Sequence, residues 1–209
     1  VFDSGFLLGD GVREGIRLHH SKLLFIDAHL DRLFNSAKGI DLKIHLTKKE
    51  IISEIFKVID KNQMTDDVHI RLVVTRGDKI TPYQNPKANI GRINYVIIPE
   101  HKKTDPIIYD EGLHIGRVEI VRPNEDILST HFNTLSKLNC ILGSIEANKL
   151  GYDEGIMNDL YGNISISTGR LPCEQPFQRL LITYEGRVAM CCYDWGAAHP
   201  VGYVDKKTF

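Results

Sequence analysis

Three kinds of side chain in this sequence could do chemistry: a lysine at the mouth of a helix, a cluster of cysteines near the C-terminus, and arginines at the ends of regular elements. A polar run from Ser129 leads into a stretch with Leu138, Ile141, Leu142 and Ile145 at positions i, i+3, i+4 and i+7, the spacing of one helix face, and Gly151 stands past its last turn. Lys137 precedes that helix. The positive end of a helix dipole disfavours an ammonium, so a partly buried lysine there tends toward the free amine that attacks carbonyls. Taken alone, such a lysine is more often a solvated side chain. Cys173, Cys191 and Cys192 are three thiols in one segment, and thiolates on a hairpin can ligate an Fe–S cluster. A cluster usually takes four ligands, and buried free cysteines are the plainer alternative. The adjacent pair also lacks the Cys-x-x-Cys spacing of an ordinary zinc site.

The elements that must position these groups can be read in order. Gly5, Gly9 and Gly11 predict turns or a close backbone approach; no Gly-Lys-Ser/Thr follows them, so they form no Walker loop. Residues 16–18 and 22–25 read as two strands joined at His19, His20 and Ser21. Asp27 is a candidate cap for a helix to about Lys38 that buries Leu30, Leu33, Phe34 and Ala37, with Arg32 beside that stripe and free to point into a cleft. Thr47 and Glu50 form a capping box ahead of Ile51, Ile55, Val58 and Ile59. Residues 68–75 and 93–98 read as strands, the second closed by Pro99, and 78–92 as a loop. Residues 100–111 read as a linker, 113–121 as strand-like, and 154–165 as strand, turn, strand. Residues 178–195 read as a hairpin with Glu185 and Gly186 at its turn.

Composition bounds the function. The chain has 209 residues, 42% hydrophobic and 25% charged, with a formal net charge of −1. These are globular values and give no general electrostatic case for nucleic acid or for an anionic membrane. No apolar run approaches the ~20 residues of a membrane span. Of the four cysteines, two are vicinal, which argues against an extracellular disulfide framework and for a cytoplasmic setting. The chain opens on Val1 without methionine, as expected of a processed or partial chain.

Two resemblances organise these observations. Asp3 to Glu14, then His29-Leu30-Asp31-Arg32-Leu33, Val73-Val74-Thr75-Arg76-Gly77 and Ala147-Asn148-Lys149-Leu150-Gly151-Tyr152, in that order, resemble class IV pyridoxal-phosphate aminotransferases of the branched-chain and D-amino-acid type. The likeness covers residues 1 to about 163. Leu171-Pro172-Cys173 and Met190-Cys191-Cys192-Tyr193-Asp194-Trp195 resemble the SPASM-type C-terminal region of radical SAM enzymes. The cysteine triplet that binds the SAM-cleaving cluster in those enzymes is absent from this sequence.

The first resemblance implies an α+β fold: a small domain over 1–105 and the beginning of the large cofactor domain over 106–163. The second implies an incomplete, cysteine-containing Fe–S segment over 164–209, carried on a β-hairpin. Pyridoxal phosphate is the implied cofactor and an Fe–S cluster the implied second group. An amino acid and a 2-oxo acid are the implied small-molecule partners, and a homodimer the implied assembly, with no nucleic acid or membrane. Arg32 falls on the arginine that contacts the cofactor phosphate; a planar guanidinium binds phosphate oxygens in pairs. Thr75 and Arg76 fall where the small domain lines the substrate pocket, and Cys173, Cys191 and Cys192 are the implied metal ligands. Counting back from Glu146 and Ala147 without gaps puts the Schiff-base lysine at Asn133. A one-turn deletion puts it on Lys137 with the helix face still in phase, and Lys137 is the residue we favour. Where the family carries a glutamate toward the cofactor's ring nitrogen, this chain has Gly162-Asn163-Ile164-Ser165-Ile166. The alternative reading is a non-catalytic or Fe–S-binding accessory module.

Overall fold

The computed structural model describes residues 1–103, 112–123 and 131–162, the single positions 108, 127 and 129, and the strand backbones Ile164–Ile166, Arg187–Val188 and Gly202–Tyr203. The chain forms two compact units: Val1–Lys103 with Ser129–Ser136, and Thr104–Leu128 with Lys137–Phe209.

The first unit is built on an antiparallel sheet. After a short helix α1 (Ser4–Leu8), strand β1 (Gly11–His19) turns tightly into β2 (Lys22–Leu23). Helices α2 (Ile26–Gly39) and α3 (Lys48–Lys61) follow, then β3 (Val68–Thr75) and β4 (Asn94–His101). The sheet order is β2-β1-β3-β4, with Gly11 opposite Thr75 and Leu18 opposite Val68. Val12, Ile16 and Leu18 on β1 share parity, as do Val68, Ile70, Leu72 and Val74 on β3, so each strand turns one row of side chains to the core. Leu30, Leu33 and Ala37 of α2 and Ile51, Ile55 and Ile59 of α3 close that core. Each large side chain buried this completely contributes about 1.5–3 kcal/mol relative to an exposed one.

Several local expectations are refined. The Thr47–Glu50 capping box forms, each partner satisfying the other's backbone N–H. Helix α2 starts from Phe25 in the left-handed region, and Asp27 sits in its first turn without capping it. Strand β4 runs through Pro99 to His101; it is the edge strand of the sheet, where a proline without an N–H is tolerated. The 78–92 loop wraps a buried Lys79, whose Nζ donates to Asn89 Oδ1 at 2.8 Å.

The second unit holds a three-stranded sheet: β5 (Ile115–Arg117) parallel to β6 (Glu154–Asn158), and β7 (Ile164–Ile166) antiparallel to β6. The strand expected over 113–121 is therefore only three residues long. Helix α4 (Leu138–Lys149) packs on β6 through Ala147, which meets Val118 and Met157. Glu146 accepts backbone N–H bonds from Glu119 and Ile120 at 3.0 and 3.1 Å, satisfying the chain beyond β5. Leu138, Ile141, Leu142 and Ile145 are exposed. The small Gly143 and Ala147 are the buried residues of α4, so small side chains form its packed face and the large ones turn outward. A further antiparallel pair joins β8 (Arg187–Val188) to β9 (Gly202–Tyr203). The Glu185–Gly186 turn lies outside the described residues.

Candidate cofactor site

Glu14 is the residue around which the first unit's polar cluster is built. It shares parity on β1 with Val12 and Ile16, so it points into the aliphatic core, and its side chain is fully buried. A carboxylate removed from water must be paired and hydrogen-bonded to be tolerated. Helix α2 supplies both partners. Arg32 donates from Nε to Glu14 Oε1 at 2.7 Å and from Nη2 to Oε2 at 2.6 Å, and His29 donates from Nδ1 to Oε2 at 2.8 Å. The predicted free Arg32 is therefore held against a carboxylate. His29, Arg32 and Ser36, at i, i+3 and i+7, form a polar stripe beside the apolar one.

Ser36, on the same helix, ties α2 to the segment before α4. Its Oγ accepts the backbone N–H of Asn133 at 3.0 Å. Asn133 is also paired with β1: its carbonyl accepts the Arg13 N–H at 3.0 Å, and its Nδ2 donates to the Arg13 carbonyl at 2.7 Å. Val12 bridges to Thr134, and Leu135 donates to the Gly11 carbonyl at 3.0 Å. Asn133 is 2% exposed, and its Oδ1 is buried with no hydrogen-bond partner among the described residues. The first unit thus holds two hydrogen-bonded groups along α2 and β1, Glu14 with Arg32 and His29, and Asn133 with Ser36 and the Arg13 backbone. Sequence reasoning missed Glu14, His29 and Ser36. A lone acid in the apolar row of a strand, opposite a polar helical stripe, was the available signal.

The other predicted site residues stand as follows. Thr75 is buried at the end of β3; its hydroxyl donates to Asp3 and accepts the Gly77 N–H at 3.2 Å. Arg76 clamps the end of α2: it donates to both oxygens of Asp10 at 2.7 and 3.0 Å and to the carbonyls of Ile40 and Asp41 at 2.7 and 2.8 Å. A cation at a helix C-terminus also suits the dipole. Lys137 is the N-cap residue of α4, half-buried, and belongs to the second unit. Cys173, Cys191 and Cys192 lie outside the described residues.

Set beside known proteins, the fold and the chain's motifs agree on a family. The family model for amino-transferase class IV matches residues 11–169, and the chain belongs to that family. A second model, an iron–sulfur cluster-binding domain, matches residues 173–209. A putative branched-chain-amino-acid aminotransferase of Methanocaldococcus jannaschii is 36% identical over 169 residues, which is 81% of this chain and 57% of that protein. A branched-chain-amino-acid aminotransferase-like protein of Arabidopsis thaliana is 37% identical over 169 residues, 79% of this chain and 29% of that protein. The crystal structure of the Escherichia coli branched-chain amino acid aminotransferase superposes with a TM-score of 0.73 at 25% identity, over 80% of this chain and 57% of that one. The chain thus spans little more than half the length of the first of these relatives, and less than a third of the second. It is a class IV aminotransferase homologue of the branched-chain type, with an α+β fold. No described helix is long and apolar enough to cross a membrane.

Pyridoxal phosphate needs an amine for its carbonyl and a cationic donor for its phosphate. Arg32, a residue of the first unit, and Lys137, a residue of the second, are of those two chemical types. A guanidinium has five N–H donors in a fixed fork, so it can hold a carboxylate by one edge and a phosphate by another. In this structure Glu14 takes the Nε and Nη2 donors of Arg32 and fixes the plane of its guanidinium.

Proposed function

We propose that this chain binds pyridoxal phosphate and moves an amino group between a branched-chain-like amino acid and a 2-oxo acid. The observation that carries this reading is the class IV match over residues 11–169 together with a buried carboxylate that fixes the Arg32 guanidinium. When bound, the cofactor supplies the electron sink that labilises the substrate's Cα–H bond. Arg32, its plane set by Glu14, holds the phosphate. Lys137 would hold the cofactor through Nζ and, as a general base, would take and return the substrate's Cα proton. Thr75 and Arg76 border the substrate pocket, Arg76 by holding the end of α2 in place. Residues 1–105 act as the small domain and 106–163 as the beginning of the cofactor domain, in a cytoplasmic homodimer. Residues 164–209 carry Cys173, Cys191 and Cys192 as ligands of an Fe–S cluster.

The test uses the full chain incubated with pyridoxal phosphate and then reduced with borohydride. The expected result is a cofactor adduct on the peptide containing Lys137, lost in Lys137→Ala. No adduct, or an adduct undiminished in that variant, overturns the reading.

A specific observation favours a second reading, a non-catalytic or Fe–S-binding accessory module. Asn133, the ungapped position of the family's lysine, is an amide locked between Ser36 and Arg13, and an amide forms no such covalent link. The iron–sulfur match over 173–209 points the same way. On this reading the reduced adduct appears only in Asn133→Lys. Iron in an anaerobic preparation is then lost when Cys191 and Cys192 are both replaced by serine. An adduct on Lys137 of the unaltered chain would sink it.

A further inference from the structure

The turn between β1 and β2 has features that neither the fold nor amino-group chemistry requires. It is a two-residue turn in which His20 and Ser21 both adopt the left-handed conformation, with φ of 47° and 58°. That geometry favours Asn or Gly, and most other side chains strain it. Here it carries an imidazole, directly after a second imidazole at His19. Both rings are brought to one carboxylate. His19 Nδ1 lies 3.1 Å from Asp66 Oδ1 and His20 Nδ1 lies 3.1 Å from Asp66 Oδ2, and the ring centroids are 3.9 Å apart.

The arrangement is held from behind. The His20 N–H and the Asp67 N–H each donate to Asp66 Oδ1 at 2.8 Å, and the Ser21 N–H donates to the Thr65 carbonyl at 3.2 Å. Arg17 anchors the neighbouring Asp67 at 2.8 Å, and the Lys102 N–H donates to the Asp67 carbonyl at 2.8 Å. Two segments far apart in sequence thus place two imidazole nitrogens and one carboxylate oxygen within 4.8 Å of one another, on an accessible surface.

We propose that His19, His20 and Asp66 form a binding site for a late first-row divalent cation of the Zn2+ or Ni2+ type. Two nitrogens and a carboxylate oxygen suit such ions, which prefer imidazole to all-oxygen sites. Bonds of about 2.0–2.2 Å in a tetrahedron set ligand atoms about 3.3 Å apart, close to the 3.1 Å between each ring nitrogen and its carboxylate oxygen. Coordination through Nδ1 takes that nitrogen's lone pair, so each ring binds the cation as the neutral tautomer that carries its proton on Nε2. Solvent exposure leaves room for water to complete the coordination. The bound ion ties the β1–β2 turn to the 62–67 loop. This site is independent of the amino-transfer reading and of the cysteines, which belong to another segment.

Zinc titration of the full chain by calorimetry, with free-metal buffering, tests the proposal. The parent chain is compared with His19→Ala, His20→Ala and Asp66→Asn, each exposed or half-exposed and each checked by circular dichroism for an unchanged fold. The expected result is the loss of one zinc equivalent, or a weakening of that equivalent by more than about 100-fold, since even partners outside the ligand sphere are worth 10–100-fold. Parent and variants with the same stoichiometry and affinity overturn it. So does a single equivalent that disappears on alkylating the cysteines and is untouched by the histidine substitutions.

Discussion

A carboxylate pointing into an aliphatic core persists only while its cationic and imidazole partners stay with it, which makes Glu14 a sensitive residue of the first unit. Glu14→Ala leaves Arg32 and His29 beside an unfilled polar pocket; breaking a buried pair from one side costs about 3–5 kcal/mol. We expect the urea midpoint to fall by a corresponding amount with little change in slope. Asp66 gives a pH prediction. The His20 N–H, and then the Asp67 N–H, hold its carboxyl down to about 2 from an ordinary 3.8. A depressed acid contributes stability above its unfolded pKa and loses it as the pH falls through its folded one. The anchoring of the β1–β2 turn is therefore intact at pH 5 and lost progressively from about pH 4 to about pH 2. The His20 amide resonance, followed by NMR, should report that loss, and it should be absent in Asp66→Asn. Arg32 was legible as a cofactor-binding candidate from its motif; its pairing with Glu14 was not, because β1 carries its acid fifteen residues before His29 and only the folded sheet brings them together.

At the scale of elements, periodicity carried well wherever one face is buried against one neighbour. Helix α3 and strand β3 lie close to where their spacing and caps place them, since cap, stripe and length all agree there. The expectation was less accurate where geometry is set from outside the element. Pro99 did not end β4, because an edge strand has a side that needs no N–H. The end of β3 depends on Gly77, which has φ of +90° and whose added Cβ would lie 2.1 Å from the Arg92 carbonyl oxygen. Gly77→Ala should therefore combine left-handed strain of about 1–3 kcal/mol with a backbone clash. We expect a thermal midpoint well below the parent's, whereas Gly91→Ala, also at positive φ but with open space around it, should be milder.

For the molecule as a whole, the family was legible because its motifs are local and fall in order along the chain. The placement of its covalent residue was harder to read, because Asn133 and Lys137 differ by about one helical turn and periodicity cannot separate them. The structure gives the two residues different surroundings, Asn133 sewn to β1 and α2, Lys137 at the head of α4. That helix has one more consequence. Leu138, Ile141, Leu142 and Ile145 lie on its outer side, between 43% and 68% exposed, as a continuous apolar ridge. On a phenyl matrix in ammonium sulfate this 209-residue chain should be retained far longer than its ordinary composition suggests. Ile141→Lys with Ile145→Lys should shorten that retention and raise the salt needed to precipitate the protein, with no drop in melting temperature. Handling in solution would then be governed by four side chains that contribute little to holding the fold together.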